Sequence, residues 1–410
     1  MTTSSPPRPS STPEPPPVRL PDELPSSPPP PTDLYRIRNL NLEEDEVLPS
    51  NNLSFYTPNV YSRSLADPTL SNKPTEEAEE HLESLRELEK NRIKFLKQEN
   101  TRLENIKKQK LKFQQEKSRL NKIWADEIIP NLSKMIGSKK LIKYWKLGIP
   151  SNYKKIIWPL AIGNTLNLTE NLFSFLIEKS SRSKSNQSDL IANEKSIKLI
   201  DTDIPRTFPQ LSFFSSGPWR ISLFNVLTSF VEYRCDVGYV QGMSFIAAFL
   251  LLFLEPGPTF ICFSNLIINN PLLNSFFTFS HDKIDIYYKV FDHFLAKFFP
   301  QIFAHFQAVS FSCSMFLHEW FNTVFTKTLS LDCVSRVFDL WFLEGDVVIY
   351  RTALGIISLL QSEFMNYDFE TTIKVLKKTN LIDEIDLMRS IEKIDLSADE
   401  FVRVYCSFCN

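Results

Sequence analysis

The apolar residues of the second half of this chain recur with a helical period, and that spacing narrows the fold more than any other feature. Leu223, Val226, Leu227, Phe230 and Val231 stand at i, i+3, i+4, i+7 and i+8, the stripe that one face of a helix buries. Ile284, Tyr287, Tyr288, Phe291, Leu295 and Phe298 predict a second helix, stopped at Pro300. Leu317, Trp320, Phe321, Val324 and Phe325 predict a third. Val334, Val337, Phe338 and Trp341 predict a fourth, closed by Gly345, and Tyr350, Ala353, Leu354, Ile357 and Leu360 a fifth. No Val/Ile/Thr alternation of strand type competes. Glycine is scarce (9) and phenylalanine abundant (34), which suits bulky helix packing better than a sheet with many turns. The fold class is therefore all-α, with one large helical domain over 124–410.

Two segments precede that domain. Residues 1–74 hold 17 of the 27 prolines and few large apolar side chains, a composition that cannot offset the entropy of ordering, so a disordered Pro/Ser-rich tail is expected. Pro13 to Pro16 fits P-x-x-P, and Ser5, Thr12, Ser27 and Thr57 each precede proline, so the tail is either solvated only or a docking and phosphorylation segment. Proline then vanishes over 75–123, which reads as one long charged helix. Heptad positions counted from Leu82 include Leu85, Leu96, Leu103, Ile106, Phe113 and Leu120, but also Glu89, Arg92, Glu99, Lys110 and Lys117. The seam is coiled-coil-like and broken by charge. Its charge is also polarised, acidic over Glu76 to Glu89 and basic over Lys90 to Lys122. Such a helix is a solvated rod, a homodimer or partner helix, or a rod whose basic half lies on an acidic membrane.

Within the domain, Gly148-Ile149-Pro150 marks a stop and restart between two helices, with Ser151 placed as the second helix's cap. Residues 168–178 predict a further helix, and Ser180 to Ser188 a polar loop. The most apolar run, Phe245 to Leu254, stops at Glu255-Pro256, about half the ~20 residues a membrane span needs, so a buried core helix is expected.

Several chemistries find no residues to carry them. The formal net charge of -2 offers no global field for nucleic acid. Neither a G-x-x-x-x-G-K-[ST] loop, a G-x-G-x-x-G turn nor a G-x-S-x-G elbow occurs. Cys406 and Cys409 form a CxxC with no second one to complete a zinc site, and His81, His281, His293, His305 and His318 show no ligand spacing. With no apolar signal core at the N-terminus, the six cysteines read as reduced thiols in a cytoplasmic setting.

What remains is an arginine and a glutamine on either side of one predicted helix, Gly217 to Tyr233. Arg206 lies in the Pro-bounded stretch Ile200-Asp201-Thr202-Asp203-Ile204-Pro205-Arg206-Thr207-Phe208-Pro209, and Gln241 in Gly238-Tyr239-Val240-Gln241-Gly242-Met243. Arginine keeps its proton, so it is no general base, but it can set a fixed charge against phosphate. A rigid Arg with a Gln suits phosphoryl transfer assisted in trans: the Arg neutralises charge growing on phosphate oxygens, and the Gln orients the attacking water. Glycines 238 and 242 allow close approach to that loop. The alternative is purely structural, with Arg206 bridging to Asp203 or Asp201 and Gln241 capping a helix.

Ile200-x-x-Asp203-x-x-Arg206 and Tyr239-x-Gln241 resemble the paired IxxDxxR and YxQ signatures of the TBC-domain Rab GTPase-activating proteins. Gly148-Ile149-Pro150 with Trp158 resembles that family's opening motif, and Trp320-Phe321 and Val337-Phe338-Asp339-Leu340-Trp341 to Glu344-Gly345 its later ones. The resemblance covers roughly residues 140–370. It implies a TBC-type helical domain that accelerates GTP hydrolysis by a Rab in its GTP form, with GTP and Mg2+ held by the Rab and no cofactor on this chain. It implies Arg206 as an arginine finger and Gln241 as a glutamine finger. Asp203 and Tyr239 would hold the fingers and their loop, Ile200 would pack beneath, Gly242 would shape the loop, and Trp158 would be structural. One departure is Lys154, where the opening motif carries Arg: a lysine keeps a surface charge but lacks a two-pronged fork. The runs Trp158 to Asn164 and Arg234 to Ala248 are similar to a subgroup linked to recycling endosomes and autophagy, with a long N-terminal extension. Some of its members act as Rab-binding regulators. That implies vesicle trafficking, work peripheral to endosomal, Golgi or autophagosomal membranes, and the alternative of a catalytically weak scaffold.

Overall fold

The computed structural model describes residues 76–182, 190–364 and 368–409, so the expectations for the tail 1–74 and for most of the loop 180–188 lie outside the described residues. Among the described residues every regular element is helical, as the periodicity predicts. Along the chain they divide into two compact units between Lys122 and Ile123. The first holds all but the last residue of α1, Glu76–Ile123, a helix of 48 residues. Its length follows from the absence of Pro and Gly and from a run of good helix formers. Leu85, Leu88, Ile93, Phe95, Leu96, Leu103 and Leu111 are exposed along it, some on the heptad seam and some off it.

The second unit begins at a π-turn, Trp124–Ile128, whose Trp124 is buried and stacks on Tyr153 at 6.3 Å. Then come α2 (Leu132–Met135), α3 (Lys139–Leu147), α4 (Ser151–Ile162), α5 (Glu170–Arg182), α6 (Leu190–Asp203), α7 (Pro218–Tyr233), α8 (Met243–Leu251) and α9 (Pro256–Asn269). They are followed by α10 (Pro271–Phe277), α11 (His281–Phe298), α12 (Pro300–Ala308), α13 (Ser314–Asn322), α14 (Leu331–Glu344), α15 (Val347–Phe364), α16 (Phe369–Leu376), α17 (Glu384–Lys393) and α18 (Ala398–Cys409). Proline at the first turn opens α7, α9, α10 and α12, where its missing N–H costs nothing.

Helix α8 is the hub. All nine of its residues are buried, and α7 and α9 pack against it. The run Phe245 to Leu254 is thus core, although the helix itself stops at Leu251. Helix α15 is long and apolar enough to cross a membrane by composition, yet it spends its apolar faces on α14, α17 and α13.

Three local expectations are corrected. Pro150, not Ser151, occupies the N-cap of α4, and no side chain caps it, because the extended backbone of Pro150 already sets the entry. The helix expected over 168–178 runs instead from Glu170 to Arg182. Helix α13 ends at Asn322, so Val324 and Phe325 are not helical: both adopt the left-handed region (φ 48° and 60°) while fully buried. Their apolar side chains still fill the core, which is why a periodicity argument counts them as helix.

Lys154 is a larger correction. It is not a surface charge but is 2 % exposed, its Nζ 2.5 Å from Asp339 Oδ1. The Asp339 carboxylate also accepts from Trp158 Nε1 (3.0 Å), Ile149 N (3.1 Å) and Arg336 Nη1 (3.1 Å), and Trp145 Nε1 donates to the Asp339 carbonyl at 2.6 Å. Through its carboxylate and its backbone carbonyl, Asp339 of α14 therefore ties together α3, the Gly-Ile-Pro turn and α4. Burial pulls the Lys154 ammonium down to about 8, partly opposed by the charge of Asp339 and its hydrogen bond. Trp158 is fully buried among Phe249, Phe253, Phe338 and Phe342, a structural position.

Candidate functional site

Helix α6 delivers Ile200 and Asp203 to the interior and then tightens into a 3-10 turn, Ile204–Arg206, because Pro205 cannot continue the α-helical hydrogen bonding. Ile200 and Ile204 are fully buried and anchor the turn from below. Thr207 closes it: its hydroxyl donates to the Asp203 carbonyl and lies 2.8 Å from Ser244 Oγ of α8. Phe208 then takes a left-handed φ of 49°, reversing the chain while its ring packs edge-on against Phe245 at 5.5 Å. The Arg206 side chain leaves this rigid base for solvent, 53 % exposed.

The second strand of the site comes from the loop between α7 and α8. Gly238 (φ 67°) and Gly242 (φ 108°) hold conformations that side chains resist. A Cβ at Gly242 would stand 3.4 Å from Asn322 Nδ2 and 3.5 Å from Thr323 Cγ2, so the loop rests close against the end of α13. Between the glycines, Tyr239 turns inward and Gln241 is exposed. No side chain caps α8, whose N-cap is Gly242, so Gln241 does not serve as a helix cap.

Asp203 joins the two pieces. Its carboxylate, 3 % exposed, accepts from Arg206 Nη2 at one oxygen and from the Tyr239 hydroxyl at the other, 2.7 Å away. Burial pushes the Tyr239 phenol far above its ordinary range, so it stays a neutral donor throughout the physiological range. Ser196 of α6 adds a second tie, its hydroxyl accepting from Tyr239 N at 3.1 Å. The turn that carries Arg206 and the loop that carries Gln241 are thus fastened through one buried acid. Asp201 is not part of this clamp and pairs with Arg220 at 2.8 Å.

Sequence reasoning passed over Ser196, Thr207, Ser244 and Asp339. Ser244 is a polar residue at the head of an apolar run, a signal that it needs a buried partner, but that partner, Thr207, lies 37 residues away. Asp339 carried the same signal amid Val337, Phe338, Leu340 and Trp341.

The sequence model of the family described as Rab-GTPase-TBC domain matches residues 151–365, slightly more than half of this chain and a span that includes every residue of this clamp. The chain belongs to the Rab-GTPase-TBC domain family. Among curated TBC relatives, TBC1 domain family member 14 of Rattus norvegicus is 36 % identical over 311 residues, covering 72 % of this chain and 45 % of that protein. TBC1 domain family member 12 of Xenopus tropicalis is 34 % identical, covering 71 % and 44 %. This TBC chain thus spans less than half the length of those relatives. Drainin of Dictyostelium discoideum is 31 % identical over 68 % of this chain and 75 % of its own. Among solved structures, the Chlamydomonas flagellar RabGAP TBC domain aligns with a TM-score of 0.55 at 22 % identity, over 69 % of this chain and 97 % of that one. The Ypt/Rab-GAP domain of Gyp1p aligns at 0.53 and 17 %, over 66 % and 93 %. Those two likenesses carry the TBC fold.

Proposed function

We propose that this protein accelerates GTP hydrolysis by a Rab-type small GTPase, supplying Arg206 and Gln241 to a nucleotide and Mg2+ held by that partner. The observation that carries this reading is the Asp203 clamp, which ties the Arg206 guanidinium and the Tyr239 hydroxyl of the Gln241 loop to one buried carboxylate while the Arg206 and Gln241 side chains stay exposed. Asp203 engages one guanidinium nitrogen, Nη2, and the other N–H groups of Arg206 stay available for phosphate oxygens. As water attacks the γ-phosphorus and the bond to the β-phosphate oxygen breaks, Arg206 offsets the charge growing on the transferred group. The Gln241 amide holds the water by one accepting and one donating bond. Products are GDP and inorganic phosphate, and this chain is unchanged.

In this reading the protein works on the cytoplasmic side of endosomal, Golgi or autophagosomal membranes, where such GTPases act in vesicle traffic. The test is single-turnover GTP hydrolysis across a Rab panel, comparing wild type with Arg206→Ala and Gln241→Ala. Loss of the arginine should cost about 10³–10⁵ in the stimulated rate. Equal rates for all three proteins on every Rab would end the catalytic reading.

A second reading rests on α1. A 48-residue helix with exposed Leu85, Leu96 and Leu103 on its seam favours a homodimer or partner helix, making the chain a Rab-binding scaffold in endosomal or autophagic traffic. Sedimentation of the full chain against a chain starting at Trp124 decides it, since equal oligomeric states remove the dimer.

A further inference from the structure

A different surface of the domain has a chemistry that GTP hydrolysis does not use. Between Ile128 and Thr169 the sequence contains seven lysines and no Asp or Glu. Helix α3 lies inside this segment and divides its faces sharply. Leu141 and Trp145 point into the core, where Trp145 is bonded to Asp339. The opposite face carries Lys139, Ile142, Lys143, Lys146 and Leu147, at i, i+3, i+4, i+7 and i+8, and all five are exposed. Ile142 is 37 % and Leu147 57 % exposed, and Ile136, one turn before the helix, is 51 % exposed. Lys140 and Lys146 are answered by Glu127 (2.5 Å) and Glu344 (3.0 Å) at the edges of the face. Lys134, Lys139 and Lys143 make no ion pair among the described residues; Lys143 only leans over the Tyr144 ring at 5.9 Å.

We infer that this face of α3, with Ile136 ahead of it, is a docking surface for an anionic lipid bilayer. Aliphatic tips interleaved with lysines on one solvent face fit the boundary between headgroups and acyl chains. The Ile and Leu side chains leave water there, while the flexible lysine stems reach back to the phosphates. Nucleic acid is the poorer fit, since the face has no arginine fork or stacking ring. An acidic protein is also poorer, because it would pair with the lysines but leave the three aliphatic side chains without a use. The surface is distinct from the basic half of α1, and the inference makes no assumption about GTP hydrolysis.

Flotation of the full-length chain with phosphatidylcholine vesicles, against vesicles with about a third phosphatidylserine, tests it. Binding should require the anionic lipid and weaken with salt. Lys139→Gln with Lys143→Gln should cost roughly thirtyfold in affinity, and Ile142→Ser with Leu147→Ser about tenfold, with helical circular dichroism unchanged. Amide hydrogen exchange of unmodified protein should show protection over 134–147 when anionic vesicles are added, a readout that needs no variant. The inference fails if neither variant weakens binding, or if no vesicle binding or protection at 134–147 is seen. It fails also if the lysine pair matters but the Ile142/Leu147 pair does not and heparin competes fully, since that describes a general polyanion surface.

Discussion

Replacing Asp339 with alanine should be the most damaging single change to the fold outside its apolar core. The substitution removes the acceptor for four donors at once: Lys154 Nζ, Trp158 Nε1, Ile149 N and Arg336 Nη1. Lys154 is left fully buried, with a long 3.5 Å contact to the Ser335 carbonyl as its one remaining hydrogen bond and the Trp158 and Phe253 rings at 4.8 and 5.7 Å. Breaking a buried pair from one side costs about 3–5 kcal/mol, and the two orphaned N–H groups, the Ile149 backbone and the Trp158 indole, add about 1 kcal/mol each. The expected loss is roughly 5–7 kcal/mol, a large share of the ~5–15 kcal/mol typical of native proteins. Lys154→Met should be milder, about 1–2 kcal/mol, because Asp339 keeps three donors, one of them cationic. The decisive case is the double variant. If the damage in Asp339→Ala comes from a stranded ammonium, adding Lys154→Met should restore at least about 1 kcal/mol. Urea unfolding followed by tryptophan fluorescence reads this directly, since Trp145 and Trp158 both donate to Asp339. Additive losses in the double variant would refute the reasoning and assign the effect to packing alone.

Other expectations follow from the same geometry. The folded-state pKa of Lys154, near 8, lies below the 10.5 of an unperturbed lysine, so the unfolded chain binds the extra proton between those values. Wild type should therefore gain stability relative to Lys154→Met as pH rises from about 8 to 10.5, and lose that gain as pH falls through 8, by urea midpoints at each pH. Tyr239→Phe removes the bond to Asp203 and should lower stimulated GTP hydrolysis at least tenfold while costing only about 1 kcal/mol of stability; unchanged turnover would show the clamp to be idle. Gly242→Ala forces a side chain into φ 108° beside Asn322 and Thr323 and should cost about 1–3 kcal/mol, checked by thermal unfolding. A maleimide should label the exposed Cys235, Cys406 and Cys409 in native protein and spare Cys262, Cys313 and Cys333, whose thiols burial pushes up, with mass spectrometry giving the order.

Much of the fold could be read from spacing because helical burial is periodic and local. Leu223, Val226 and Phe230 declare their shared face within two turns, and that face is buried. Boundaries were harder. Val324 and Phe325 carry the right apolar chemistry for a helix, yet Asn322 ends it, since side chains report burial and not backbone dihedrals. Lys154 misled for a related reason: a lysine reads as solvent-facing by default, and only an acid 185 residues away makes its burial tolerable.

The sequence by itself determined an all-helical domain, a long charged helix ahead of it, the order of the family's motifs, and the presence of Arg206 and Gln241 on stiff, Pro- and Gly-bounded segments. Those are properties of short stretches, set by rotamers, capping and period. Tertiary structure decided that Asp203 and Tyr239 meet across 36 residues, and that Lys154 and Asp339 meet across the core. It also decided that one face of α3 keeps its lysines and aliphatic side chains in water. Such juxtapositions depend on how the helices stack around α8, and no local pattern along the chain encodes the distance between two residues that only packing brings together.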